Sequence, residues 1–155
     1  METQFKKQLS TYLSAKTRSI IADGISALFI LLFIYTATSK IFTFKDFSNV
    51  LYVVPVIHSL PGTAAVSVIA VQIIVGLLLI IPFTQKTGLY ATVLLLLIFT
   101  VYLIYMVNFV DILPCNCGGV SSHLSWENHI WFNTILIFLA CSGILTNQSY
   151  KKQQS

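Results

Sequence analysis

The chain has 155 residues, of which 56% are apolar and only 9% charged, and its formal net charge is +4. Soluble domains carry about 25% charged residues, so this composition excludes a water-coated globule and predicts a single-domain integral membrane protein, as does the mean hydropathy of +0.84. The Lys and Arg residues gather towards the ends of the chain, which reads as membrane orientation and contact with anionic lipid rather than nucleic-acid binding.

In residues 1–18, Phe5, Leu9, Tyr12 and Leu13 fall on one helical stripe, and Lys6, Lys7, Ser10, Thr11 and Ser14 lie away from it. This pattern predicts a cytoplasmic amphipathic helix lying in the membrane interface. The first span is expected over about 19–39. The segment has no small-residue cleavage site after it, so it reads as a retained anchor rather than a secretory signal. Asp23 is expected to pair with Arg18 near one surface, and Lys40 to snorkel outward at the other.

The stretch 41–62 is rich in aromatic residues (Phe42, Phe44, Phe47 and Tyr52) and contains Pro55 and Pro61. It predicts a structured interfacial connection, with Asp46 capping a short helix that reaches Val53 and is limited by Pro55. The second span is expected over about 63–81. Its one strongly polar residue, Gln72, must face the interior of the bundle, because an amide in hydrocarbon without a partner is costly. It reads first as glue between helices and second as a contact for a quinone or other apolar ligand. The third span is expected over about 87–110, with Asn108 and Asp111 leading into the next connection and fixing its backbone. The fourth, over about 128–146, is the shortest and most polar, and a tail of residues 147–155 follows. Each span approaches the roughly 20 residues a helix needs to cross the hydrocarbon core. The fold class expected is therefore all-α, a four-helix transmembrane bundle.

Orientation follows from the bases. With the N-terminus inside, the inner segments hold Lys6, Lys7, Lys16, Arg18, Lys86, Lys151 and Lys152, and the outer ones only Lys40 and Lys45. The connection from Asp111 to Glu127 has no Lys or Arg. The positive-inside rule then puts both termini in the cytoplasm of a bacterial-type inner membrane and the 111–127 connection outside.

That outer connection holds the concentrated chemistry. Cys115 and Cys117 flank Asn116, with Pro114 before them and Gly118 and Gly119 after. A disulfide between residues two apart closes a minimal ring, which gains little from loop closure and departs from relaxed geometry. Exposed, strained disulfides are the labile ones, so a redox pair is the leading reading. A structural bridge and a metal site remain alternatives. The latter would use Cys115, Cys117, His123 and His129, although most zinc sites space paired cysteines by two to four residues.

At the entry to the fourth span, Ser125 is a fair N-cap, and Glu127 suits the helix dipole. Trp126 and Trp131 fit an interfacial belt. His129 and Asn133 lie one turn apart on a face that continues to Cys141. His129 is the candidate that tunes the thiols, beside the plainer reading of an interfacial histidine. Cys141 lies 12 residues beyond His129, about 18 Å down the helix. It is expected to pack as a small apolar residue out of reach of the pair.

The Cys115-to-Cys117 motif with Gly118 and Gly119, followed by Trp126, His129 and Asn133, resembles the MauE/DoxX group of redox-associated membrane proteins. Ser39-Lys40-Ile41-Phe42 with Lys45-Asp46-Phe47 is similar to that group's end of the first span, and Val71-Gln72 with Gly76-Leu77-Leu78 to its second span. The resemblance covers about 24–143. It implies a four-helix membrane bundle engaged in disulfide chemistry or in maturing extracytoplasmic partner proteins. The group often carries Glu where this chain has Gln72, so a proton-relay role does not carry over to that position.

The function expected is thiol-disulfide exchange at the outer face with an extracytoplasmic or membrane protein partner. Cys115, Cys117 and His129 would carry the chemistry. Gln72 and Asn133 would line a cofactor site in the bundle, with a membrane quinone as the electron acceptor. The competing expectation is a non-catalytic subunit or assembly factor whose cysteine loop is a docking element. Outer-face metal handling is a third.

Overall fold

The computed structural model describes residues 2–52, 59–110 and 126–154, with side chains described over 17–52, 59–110 and 127–147. Among the described residues all regular structure is helical: α1 (Glu2–Phe42), α2 (Phe44–Tyr52), α3 (Pro61–Ile80), α4 (Gln85–Phe109) and α5 (Trp126–Gln154). Four stretches are long and apolar enough to cross a membrane, Thr17–Phe42, Pro61–Ile80, Gln85–Phe109 and Glu127–Asn147. The chain is a multi-pass membrane protein built on a four-helix bundle.

Local chemistry sets the helix ends. Pro61 opens α3, where its missing N–H removes nothing the helix needs. Ile81 turns extended ahead of Pro82, as a residue before proline must, and α3 stops. Thr84 Oγ1 then donates to the Leu78 carbonyl at 2.8 Å, satisfying a group the end of α3 leaves open. The resulting connection is only four residues long, so α3 and α4 form an antiparallel hairpin.

Residues 2–18 are helical, and they form the start of one helix that continues into the first span without a break rather than a separate short helix. At 41 residues α1 is about 60 Å long, twice the hydrocarbon thickness. The short helix α2 begins earlier than expected, at Phe44, so Asp46 lies in its first turn rather than at its cap. Val53 and Pro55 lie outside the described residues.

Each spanning helix packs on two neighbours. α1 lies against α3 and α5, and α4 against the same two, so chain order runs around the bundle with α1 and α4 on one diagonal. The core between them is apolar: Phe29 and Phe33 of α1, Val75 and Leu79 of α3, Leu89 and Leu96 of α4, and Leu136 and Ala140 of α5. The outward faces are equally apolar, with Leu31, Val101 and Phe138 more than 60% exposed. Such a surface suits the hydrocarbon of a membrane. Threonines within the spans close their own needs: Thr92 donates to the Gly88 carbonyl at 2.8 Å, and Thr100 to Leu96 at 2.7 Å.

The bundle has two chemically distinct ends. One carries the start of the first span, the α3–α4 turn and the end of the fourth span. The other carries the end of α1, the helix α2, the start of α3, and the ends of α4 and α5 that segment 111–125 joins. At this second end α2 buries Phe47 and Leu51 against Ala65 and Val68 of α3 and Tyr102 of α4, while Lys45 and Asp46 face outward.

Candidate functional site

The polar residues of the spans collect at three depths. The first is at the end formed by the α3–α4 turn. There Gln85 Nε2 donates to Asp23 Oδ1 at 3.0 Å and to Ser26 Oγ at 3.1 Å. Asn147 Nδ2 donates to Gln85 Oε1 at 3.0 Å, so one network ties α1, α4 and α5 together. Ser26 Oγ in turn donates a hydrogen bond to the Ala22 carbonyl at 2.9 Å. The Asp23–Arg18 pair expected from sequence is replaced by this network, with Ser19 Oγ adding a longer contact of 3.4 Å to Asp23. Asn147 Oδ1 is buried without a partner.

The second depth is mid-bundle. Gln72 is 2% exposed and turned inward, as a lone amide in a span must be. Its Nε2 donates to Thr36 Oγ1 at 3.0 Å, and Thr36 in turn donates to the Leu32 carbonyl at 2.8 Å. Gln72 Oε1 is left buried and unpaired. Asn133 of α5 is also buried. α5 and α3 are not packing neighbours, so Gln72 and Asn133 reach the interior from opposite sides of the bundle.

The third depth is the end beneath α2. Lys40 does not snorkel outward as expected. Its ammonium crosses the interior and lies 5.5 Å from the centre of the Phe47 ring on α2 and 5.6 Å from the Phe99 ring on α4, the helix diagonal to its own. Two ring faces stabilise the cation where a second charge does not. Among the described residues no carboxylate pairs with it. His129, half-buried at the start of α5, lies within range of the Lys40 charge. Tyr102, one turn beyond Phe99, packs on the Phe47 cluster with its Oη buried and unpaired. Sequence reasoning missed the placement of Lys40 and Tyr102. A basic residue and a tyrosine at the same depth of two spans was the available signal.

Of the remaining candidates, Cys141 is a free thiol on α5 and half-buried rather than buried. Asn108 Nδ2 donates to the Ile104 carbonyl of its own helix at 2.8 Å, and the connection it was expected to fix lies outside the described residues. Trp131 is 70% exposed on the lipid side of α5, where an interfacial ring belongs. Cys115, Cys117, Asp111, His123 and Ser125 lie outside the described residues, as does the side chain of Trp126.

Chemically, the end beneath α2 offers donors in excess. The Lys40 ammonium has three N–H bonds and donates none of them in a hydrogen bond among the described residues. The Tyr102 hydroxyl is a second unpaired donor. Aromatic rings wall both. Such an arrangement suits an oxygen acceptor on a flat apolar body.

Neither the curated proteins nor the solved structures contain a match to this chain. One family model does match, that of the methylamine utilisation protein MauE, over residues 18–146, a stretch that takes in all four spanning helices. A bundle of this composition, matched from the start of its first span to the end of its fourth, belongs to the MauE family.

Proposed function

We propose that the chain is a thiol-disulfide exchange protein of the inner membrane, acting at its extracytoplasmic face to mature a partner protein. The family's description as a methylamine utilisation protein supports a partner from that process. The resemblance of the cysteine motif to the MauE/DoxX group supports the same reading, since that group is implicated in disulfide chemistry or in maturing extracytoplasmic partner proteins. Both termini are cytoplasmic in this reading, and the Cys115/Cys117 segment is outside.

The observation that carries it is positional. The segment bearing Cys115 and Cys117 connects α4 and α5 at the end where the Lys40 ammonium lies without a carboxylate partner among the described residues. Positive charge favours the thiolate, the form that attacks and leaves in exchange.

A dithiol partner attacks the Cys115–Cys117 bond, and one cysteine leaves as a thiolate. The second partner thiol resolves the mixed disulfide. The partner is oxidised by two electrons, and Cys115 and Cys117 are reduced to thiols. Two electrons and two protons must then pass to a lipophilic acceptor, and a membrane quinone, reduced to the quinol, is of the required class. His129 tunes the thiols. The unpaired donors beneath α2 fit such an acceptor, whereas Gln72 has already committed its Nε2 to Thr36.

The test is partner capture. Run in reverse, the one thiol left in Cys115→Ser or Cys117→Ser attacks the oxidised partner's disulfide and has no second cysteine to resolve the product. The two variants are therefore expected to differ, one of them trapping a covalent complex that dithiothreitol releases. If neither traps a partner and the double variant still supports maturation in cells, exchange is excluded. The chain is then an assembly subunit with a docking loop.

A further inference from the structure

We propose that the interior of the bundle beneath α2 binds a quinone, with Lys40 and Tyr102 donating hydrogen bonds to a ring oxygen. The inference deepens the thiol-exchange reading by giving its electron acceptor a place, and it joins Lys40 there to Tyr102, which no sequence motif singled out.

Three observations converge. Lys40 spends its side chain reaching across the bundle to the diagonal helix, where its ammonium lies between Phe47 and Phe99 and donates no hydrogen bond among the described residues. A charge inside a span is costly and marks function by default. Structural use of Lys40 would favour the nearby bilayer surface, which its length can reach. Tyr102 Oη is buried on the same aromatic cluster with its hydroxyl unpaired, and an orphaned phenol at this depth calls for an acceptor. Lastly, Gln72 Oε1 is an unpaired acceptor held through Thr36, one helical turn before Lys40 on α1. It matches the hydroxyl that the ring gains when reduced.

The chemistry of the occupant follows from this set. Unpaired donors exclude a cation and select an oxygen acceptor. The aromatic walls select a flat, apolar body, and the position within a span selects a lipid-soluble one. A fixed cation in a water-poor interior also stabilises an oxygen that gains electron density, so reduction of the ring is favoured where it binds.

The test reads binding and not turnover, in protein carrying Cys115→Ser and Cys117→Ser so that thiol chemistry plays no part. A short-chain benzoquinone is titrated into the detergent-purified protein, and saturable quenching of tryptophan fluorescence is followed. Lys40→Met keeps the length of the side chain and should weaken affinity at least about tenfold, the scale of a lost charged hydrogen bond. Tyr102→Phe removes a single oxygen, a minimal change that keeps the test valid if Lys40→Met fails to fold. It should weaken affinity about three- to tenfold. Gln85→Met, at the other end of the bundle, should bind like the parent.

Absence of saturable binding in the parent would overturn the proposal, as would unchanged affinity in both Lys40→Met and Tyr102→Phe. Equal loss in Gln85→Met would move the site elsewhere and overturn it too. A partner trapped by a single-cysteine variant alongside such a failure leaves thiol exchange standing. Quinone binding without a trapped partner leaves the site standing and removes the exchange.

Discussion

Gln72 and Lys40 are both polar residues in membrane-spanning helices, and the structure treats them differently. Gln72 is bonded once and orphaned once: its Nε2 reaches Thr36, and its Oε1 has no partner. A hydrogen bond between helices in a membrane is worth about 0.6 kcal/mol on average. An unsatisfied buried carbonyl costs about 1–3 kcal/mol. The amide therefore does not hold the bundle together. Gln72→Met, which removes both atoms and leaves Thr36 bonded to Leu32, should be neutral or stabilising by about 1 kcal/mol. Thermal unfolding in detergent checks this, and a loss of several degrees would show that the amide glues α3 to α1. Lys40 has no such replaceable partner, and its value is tied to what it can donate to.

At the scale of the helices, close approach decides where side chains are tolerated. A Cβ added at Gly88 would stand 3.0 Å from the Leu79 backbone nitrogen and 3.1 Å from the Leu78 carbonyl carbon. Backbone atoms in a helix cannot yield, so the tight α3–α4 hairpin requires glycine there. At Gly143 the nearest atom is the Ile25 Cγ2 at 3.1 Å, a side chain that can shift. Gly24 faces open space. Gly88→Ala should therefore destabilise most, by about 1–3 kcal/mol as overpacking does, and Gly143→Ala less. Gly24→Ala should be neutral or stabilising, by up to about 1 kcal/mol from helix propensity. Unfolding midpoints of the three variants give the order directly, and a Gly88→Ala midpoint above that of Gly143→Ala would refute it.

For the molecule as a whole, the governing question is which end faces which compartment. The Asp23–Gln85–Asn147 network closes one end, and the Lys40, Tyr102 and His129 group occupies the other. The orientation we propose from the charge bias puts the first end in the cytoplasm. In a background with Cys115→Ser, Cys117→Ser and Cys141→Ala, Lys86→Cys should resist a membrane-impermeant thiol reagent in sealed cells, and Ser121→Cys should be labelled. Labelling at position 86 alone would invert the protein and place the native thiol pair in a reducing compartment, where a disulfide does not persist.

Hydropathy is a sum over neighbours in the chain, so the four spans, the all-helical class and the inward turn of Gln72 were all legible in the sequence. The ends of the helices were partly legible, because Pro61 and Pro82 act on adjacent residues. The start of α2 was not, since it continues almost directly from α1. What the sequence could not determine was which polar groups meet. Gln85 and Asp23 are 62 positions apart, as are Asn147 and Gln85, and no local signal records the depth and rotation that bring them together. The same holds for Lys40. Its position near the end of a span predicts snorkelling to the surface, the cheapest solution for an isolated helix. Only the packing of α2 and α4 around it supplies two aromatic faces inside the bundle, and these draw the charge inward. Cation–ring attraction depends on distance and angle between elements far apart in the chain, and only the tertiary structure decides those.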